Sequence, residues 1–103
     1  MSPLFDHVIH APIRLQVCSM LSTLDDAEFA ALRDAFGISD SVLSKHLRVL
    51  EEAGYVALRK SASGGRTRTW ARLTRTGRVA FAGHVAELRR LADGLPPQSI
   101  RGS

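Results

Sequence analysis

The chain has 103 residues and is short of cysteine, of aromatic side chains and of long apolar runs. Cys18 is the single cysteine, which excludes a disulfide within the chain and any cysteine-rich zinc site. The lack of cysteine pairs suits a reducing compartment. Aromatics make up 6% of residues, so aliphatic side chains must fill the core. Cys18 itself reads as a small buried hydrophobe rather than a reactive thiol. The longest uninterrupted apolar stretches are a few residues, too short for a membrane-spanning helix. The opening segment MSPLFDHVIHAPIRL has no basic stretch ahead of an apolar one, so no secretory signal is expected. The expectation is a soluble, cytoplasmic protein with no membrane partner. There is no internal repeat, low-complexity segment or linker. Length and composition suit one globular domain over residues 1–95, followed by a polar, disordered tail at 96–103.

One sign of charge is also missing over a long stretch. Between Ala53 and Ala86 there is no acidic residue. Residues 1–44 carry two arginines against six acids, a net of −4. Residues 45–78 carry nine basic residues against Glu51 and Glu52, a net of +7. A one-signed block inside a folded domain points to a polyanionic partner.

Apolar spacing divides the chain into short elements. Leu4, Phe5, Val8 and Ile9 suggest a turn or two of helix. Pro12 suits the first position of a second helix, with Ile13, Val17, Met20, Leu21 and Leu24 along one stripe. Asp25 or Asp26 is expected to cap a third helix bearing Phe29, Ala30, Leu32, Ala35 and Phe36, ended by Gly37. After Ile38, Ser39 caps a fourth helix with Val42, Leu43, Leu47 and Leu50 inward, ended by Gly54. A strand from Tyr55 to Lys60, a Ser61–Gly65 turn and a second strand, Arg66–Leu73, form a β-hairpin. A last helix runs from Thr74 to about Leu95, where Pro96-Pro97 forbids continuation. The fold class is therefore mainly α with a small hairpin, α+β.

The third and fourth helices, joined by a three-residue turn with one apolar plug, Ile38, have the form of a helix-turn-helix. The outer face of the fourth helix shows Asp40, Ser41, Ser44, Lys45, Arg48 and Glu52. Small hydroxyl groups followed by basic ones fit a DNA major groove, where bulky apolar groups would not. The hairpin adds Arg59 and Lys60 before its tip, and Arg66 and Arg68 after it. Alternation puts Arg66, Arg68, Trp70 and Arg72 on one face, and Thr67, Thr69, Ala71 and Leu73 on the core face. The candidate DNA-binding residues are Ser39, Ser41, Ser44, Lys45, Arg48, Lys60, Arg66 and Arg68. The last two are expected to touch phosphates beside the Gly64-Gly65 tip.

The segments IHAPIRLQVCSML and FAALRDAFGISDSVLSKHLRVLEEAGYVALRKSASGGRTRTWARLTRTGRVAF resemble the winged-helix DNA-binding domains of small prokaryotic transcriptional regulators, close to the MarR and ArsR groups. The resemblance runs from about Ile9 to Leu91. It implies a homodimeric regulator of transcription, a repressor, with recognition helix Ser39–Ala53 and wing Ser61–Arg68. Metal-sensing members similar to ArsR carry paired cysteines or His/Asp clusters on helices, and no such set is evident here.

The final helix spaces Phe81, Val85, Leu88, Ala92 and Leu95 by four and three, a heptad-like seam. With Leu4, Phe5 and Val8 it is the expected dimer interface, residues 79–95 being the dimerisation helix. Gly83 would allow another backbone to approach. His84, Glu87, Arg89, Arg90 and Asp93 are expected in solvent.

Other readings are less well supported. His7 and His10, three apart, supply two metal ligands at best, so no metal or other cofactor is expected. Ser44, Lys45 and His46 point about 100° apart on a helix and cannot form a catalytic relay, so no enzyme is expected. A module that only binds proteins would not need an acid-free wing. A small-molecule effector is compatible with the sequence, which names none.

Overall fold

A computed structural model describes residues 5–94. The chain begins with the one-turn helix α1, His7–His10, and the Asp6 carboxylate accepts hydrogen bonds from the amides of Val8 and Ile9 at 2.9 and 3.1 Å. Pro12 opens α2, Pro12–Ser22, at the position where its missing amide proton costs nothing. This helix buries Val17, Cys18 and Leu21 completely. Burial, with a smaller contribution from Asp6, pushes the Cys18 thiol up to about 12, the state of an inert apolar side chain. Leu24 lies past the helix end and is exposed rather than on the inward stripe.

The third helix does not start on an aspartate cap. Ala27–Glu28 form a short strand, β1, and α3, Phe29–Phe36, follows directly with no side-chain cap. Asp26 instead pairs with Arg59 at 3.1 Å. Pairing with a distant strand has overridden local capping chemistry. Gly37 ends α3 in the left-handed conformation. Ile38 packs against the core at the turn. Ser39 then caps α4, Asp40–Glu52, its hydroxyl accepting from the Val42 amide at 3.2 Å. Leu43, Leu47 and Leu50 point into the core. Val42 does not: it is 40% exposed, because it lies about 100° around the helix from Leu43.

Strands β2, Val56–Ser63, and β3, Arg66–Leu73, pair from Val56 with Leu73 to Ser63 with Arg66. They run farther towards the tip than the expected Ser61–Gly65 loop. The connection is Gly64-Gly65 alone, with φ of 60° and 79°, a two-residue turn whose twist matches that of the strands. The sheet has three strands in the order β1-β3-β2, all antiparallel. Val56, Ala71 and Leu73 mark its buried face, where Leu58, Lys60 and Thr69 also lie by register. Arg59, Arg66, Arg68, Trp70 and Arg72 share the opposite face with Glu28.

Thr74 starts α5, Arg75–Ala92, accepting from the Gly77 amide and donating to the Gly54 carbonyl. Gly77 sits so close to the chain after α4 that a β-carbon would lie 2.1 Å from the Tyr55 carbonyl oxygen. Phe81 packs on the core, Val85 and Leu88 are half-buried, and Ala92 is exposed. Phe5 and Val8 pack within their own chain, Phe5 on His10 and His84. Leu4, Leu95 and the tail 96–103 lie outside the described residues.

His84 corrects a solvent expectation. It is fully buried, and its two ring nitrogens are satisfied by the Asp6 amide at 3.0 Å and by His10 Nδ1 at 3.2 Å. Both partners come from the other end of the chain, which no reading of α5 alone could supply.

Candidate nucleic-acid interface

The buried leucines of α4 fix its rotation, and that rotation decides what faces outward. With Leu43, Leu47 and Leu50 inward, helical geometry puts Ser41, Lys45 and Arg48 on the outer side, and all three are exposed. Glu52 shares this side one turn beyond Arg48. Ser39 is exposed at the N-terminus, its hydroxyl 3.3 Å from that of Ser41. The entry of α4 is anchored from α3, where Arg33 pairs with Asp34 at 2.9 Å and with Asp40 at 3.0 Å. The positive end of the α4 dipole therefore sits beside two hydroxyl groups and an acid already engaged by an arginine.

Between α4 and the hairpin lies an open cleft of about 440 Å³. Leu47, Leu58 and Phe29 form its apolar part. Ser44 and Arg48 line it from α4, Lys60 and Thr69 from the sheet, and Asp40 and Glu51 add negative charge. The structure thus brings Ser44, Arg48 and Lys60 together. It does not bring Arg66 and Arg68 to them, because strand parity puts those two on the other face of the hairpin.

That face contains acidic partners that a local reading missed. Arg68 Nη1 lies 3.2 Å from both carboxylate oxygens of Glu28. Arg59 pairs with Asp26 and stacks over Trp70, its guanidinium carbon 5.7 Å from the ring centre. The acid-free stretch after Ala53 is real in sequence, yet β1 brings two carboxylates from outside it onto the wing. The cue available was the pair Asp26 and Glu28 flanking a residue able to join a sheet.

Ser44, Lys45 and His46 have separate surroundings. Ser44 lines the cleft, Lys45 is exposed, and His46 Nδ1 meets Arg14 Nη1 at 3.1 Å. Burial first, then the charges of Arg14 and Lys45, hold His46 below the ordinary imidazole range. Among the described residues, no three histidine, cysteine or acidic side chains are grouped to hold a metal ion. No helix among them is long and apolar enough to cross a membrane.

Comparison with known proteins agrees with this geometry. The family model of a winged helix DNA-binding domain matches residues 13–92. Uncharacterized protein MJ0432 of Methanocaldococcus jannaschii is 32% identical over 88 residues, covering 85% of this chain and 96% of that protein. The transcriptional regulator homologue from Pyrococcus horikoshii OT3 superposes with a TM-score of 0.82 at 27% identity, over 88% of this chain and 90% of that one. A possible transcriptional regulator for arsenical resistance is 33% identical with a TM-score of 0.60, over 91% of this chain and 84% of that one. The chain, a helix-rich α+β fold with a capped outward helix beside a basic hairpin, belongs to the winged helix DNA-binding domain family.

Proposed function

We propose that the protein is a sequence-specific, homodimeric DNA-binding repressor of transcription. In this reading α4 is the recognition helix and enters the major groove. Ser41, Lys45 and Arg48 face base edges, where a lysine or arginine reads guanine O6 and N7. Ser39 and the first amides of α4 meet a phosphate at the positive end of the helix dipole. Ser44 and Lys60, across the cleft, hold the flanking backbone. Arg66 and Arg68 on the wing reach phosphates, with Arg68 exchanging Glu28 for DNA. The observation that carries the reading is the exposed Ser41, Lys45 and Arg48 face on a helix whose rotation is locked by three buried leucines.

The dimer forms through α5. Its half-buried Val85 and Leu88 and its exposed Leu91 and Ala92 continue beyond the part of the helix that closes the core. Two recognition helices spaced about 34 Å apart would read successive major grooves of a pseudo-palindromic site.

The test is selection of duplexes from a random pool, followed by anisotropy titration of the enriched and an unrelated duplex at two salt concentrations. The expected result is an enriched inverted repeat bound at least about 1000-fold more tightly than unrelated DNA. Equal affinity for both duplexes would refute the sequence-specific reading.

A further inference from the structure

His84 lies in the middle of α5 with no exposed surface. The backbone amide of Asp6 can only donate, so His84 Nδ1 accepts and the ring proton sits on Nε2. That proton points at His10 Nδ1, 3.2 Å away, which must in turn accept. Both imidazoles are therefore neutral in this arrangement. A second proton on either ring would set donor against donor. The Phe5 ring lies 4.6 Å from the His10 ring and 4.8 Å from the His84 ring, between centres, and packs over the pair.

The groups around the pair give an added proton little help. Asp6 is the nearby carboxylate, and it is committed. One oxygen holds the Val8 and Ile9 amides, and the other accepts from the Tyr55 hydroxyl at 2.5 Å. His7 stands on α1 beside Phe5, and Arg14 and Cys18 face the region from α2. His46 of α4 faces Arg14, and Glu87 on α5 is engaged by Arg90.

The same segment also touches the recognition helix. Tyr55 lies three residues beyond the end of α4 and donates its hydroxyl proton to Asp6. Arg14 donates through Nε to the Val8 carbonyl and through Nη1 to His46 on α4. We propose that Phe5–His10 is an acid-labile strap, latched to α5 by the neutral His10–His84 pair and seated against α4 through Asp6 and Arg14. Acid releases the latch and loosens α4. The direction of titration agrees: burial, then His10, hold His84 below the ordinary imidazole range, with Asp6 opposing. The strap stands on this geometry alone, whereas its effect on DNA rests on the function proposed above.

The test is nitrogen-15 NMR of the full chain, titrated from about pH 8 to about pH 5. The expected result is a His84 ring in the Nε2–H form that titrates below the ordinary imidazole range, together with loss of amide protection at Val8, Ile9 and His10 as it does so. If release takes up a proton on each ring, its equilibrium grows about 100-fold per pH unit. His10→Asn offers an acceptor oxygen near the place of Nδ1 and has no proton to gain, so the growth should fall to about tenfold per unit. A His84 ring protonated on Nδ1 at neutral pH would overturn the strap, as would amide protection that stays constant while the ring titrates. Duplex affinity is then compared at both ends of the range. His10→Asn should match the wild-type chain at neutral pH and bind more tightly in acid. Equal binding in acid by the two chains would overturn the coupling to α4. A chain that binds no duplex at any pH would overturn the DNA reading, and the ring and amide signals would still decide the strap.

Discussion

A methyl group at residue 77 would have nowhere to go, since its carbon would fall 2.1 Å from a backbone oxygen. Gly77→Ala should therefore lower stability by about 2–3 kcal/mol as the start of α5 moves off the Tyr55 carbonyl, measurable by urea denaturation. Glu28 carries the opposite kind of contact. Its pairing with the partly exposed Arg68 contributes about 0–1 kcal/mol to stability, so Glu28→Gln should leave the fold nearly unchanged. The same change removes a negative charge from the wing, and affinity for duplex DNA should rise. Anisotropy titration checks this, and a weaker complex would mean that Glu28 orients Arg68 for its phosphate. The buried His84 and the half-buried His46 contribute to the pH dependence. His84 and His46 both titrate lower in the folded chain than in the unfolded one. The unfolded chain therefore binds more protons in acid, and stability is full above the unfolded value of about 6.5 and falls below it. Each histidine adds at most about 1.4 kcal/mol per pH unit to the slope, readable from denaturation curves at neutral pH and at pH about 5.5.

At the scale of the element, local chemistry was legible wherever it acts locally. Pro12 opening α2, Gly37 closing α3, Ser39 capping α4 and Gly64-Gly65 turning the hairpin each rest on a backbone preference of one or two residues. The outward set Ser41, Lys45 and Arg48 was legible too, because the leucine spacing fixes the rotation of α4. What escaped depends on distant partners. Strand β1 is two residues long and exists only through β3, so Asp25 and Asp26 looked like caps. The placement of Arg68 beside Glu28 follows from that same strand. Val42 looked like core as the first member of a spaced set with Leu43, Leu47 and Leu50, yet it is exposed. His84 looked like surface because its partners stand 74 and 78 residues away. The cap on α4 gives a direct check. Ser39→Ala removes the acceptor for the Val42 amide and should cost about 1 kcal/mol of stability. Circular dichroism during thermal unfolding would register the loss.

At the scale of the whole molecule, two exposed surfaces matter for the proposed function. The outward face of α4 and the cleft beside Lys60 form one, and the C-terminal half of α5 forms the other. Leu88→Glu places a charge on the second surface and should yield a monomer by light scattering with the fold retained. If that variant stays dimeric, the interface lies elsewhere. The double variant Lys45→Ala/Arg48→Ala is titrated by anisotropy against the selected duplex, with circular dichroism confirming its fold. At about 1–3 kcal/mol for each good base contact, the account predicts a loss of about 2–6 kcal/mol and relaxed sequence preference. A folded double variant that binds the same duplex with unchanged affinity would contradict it.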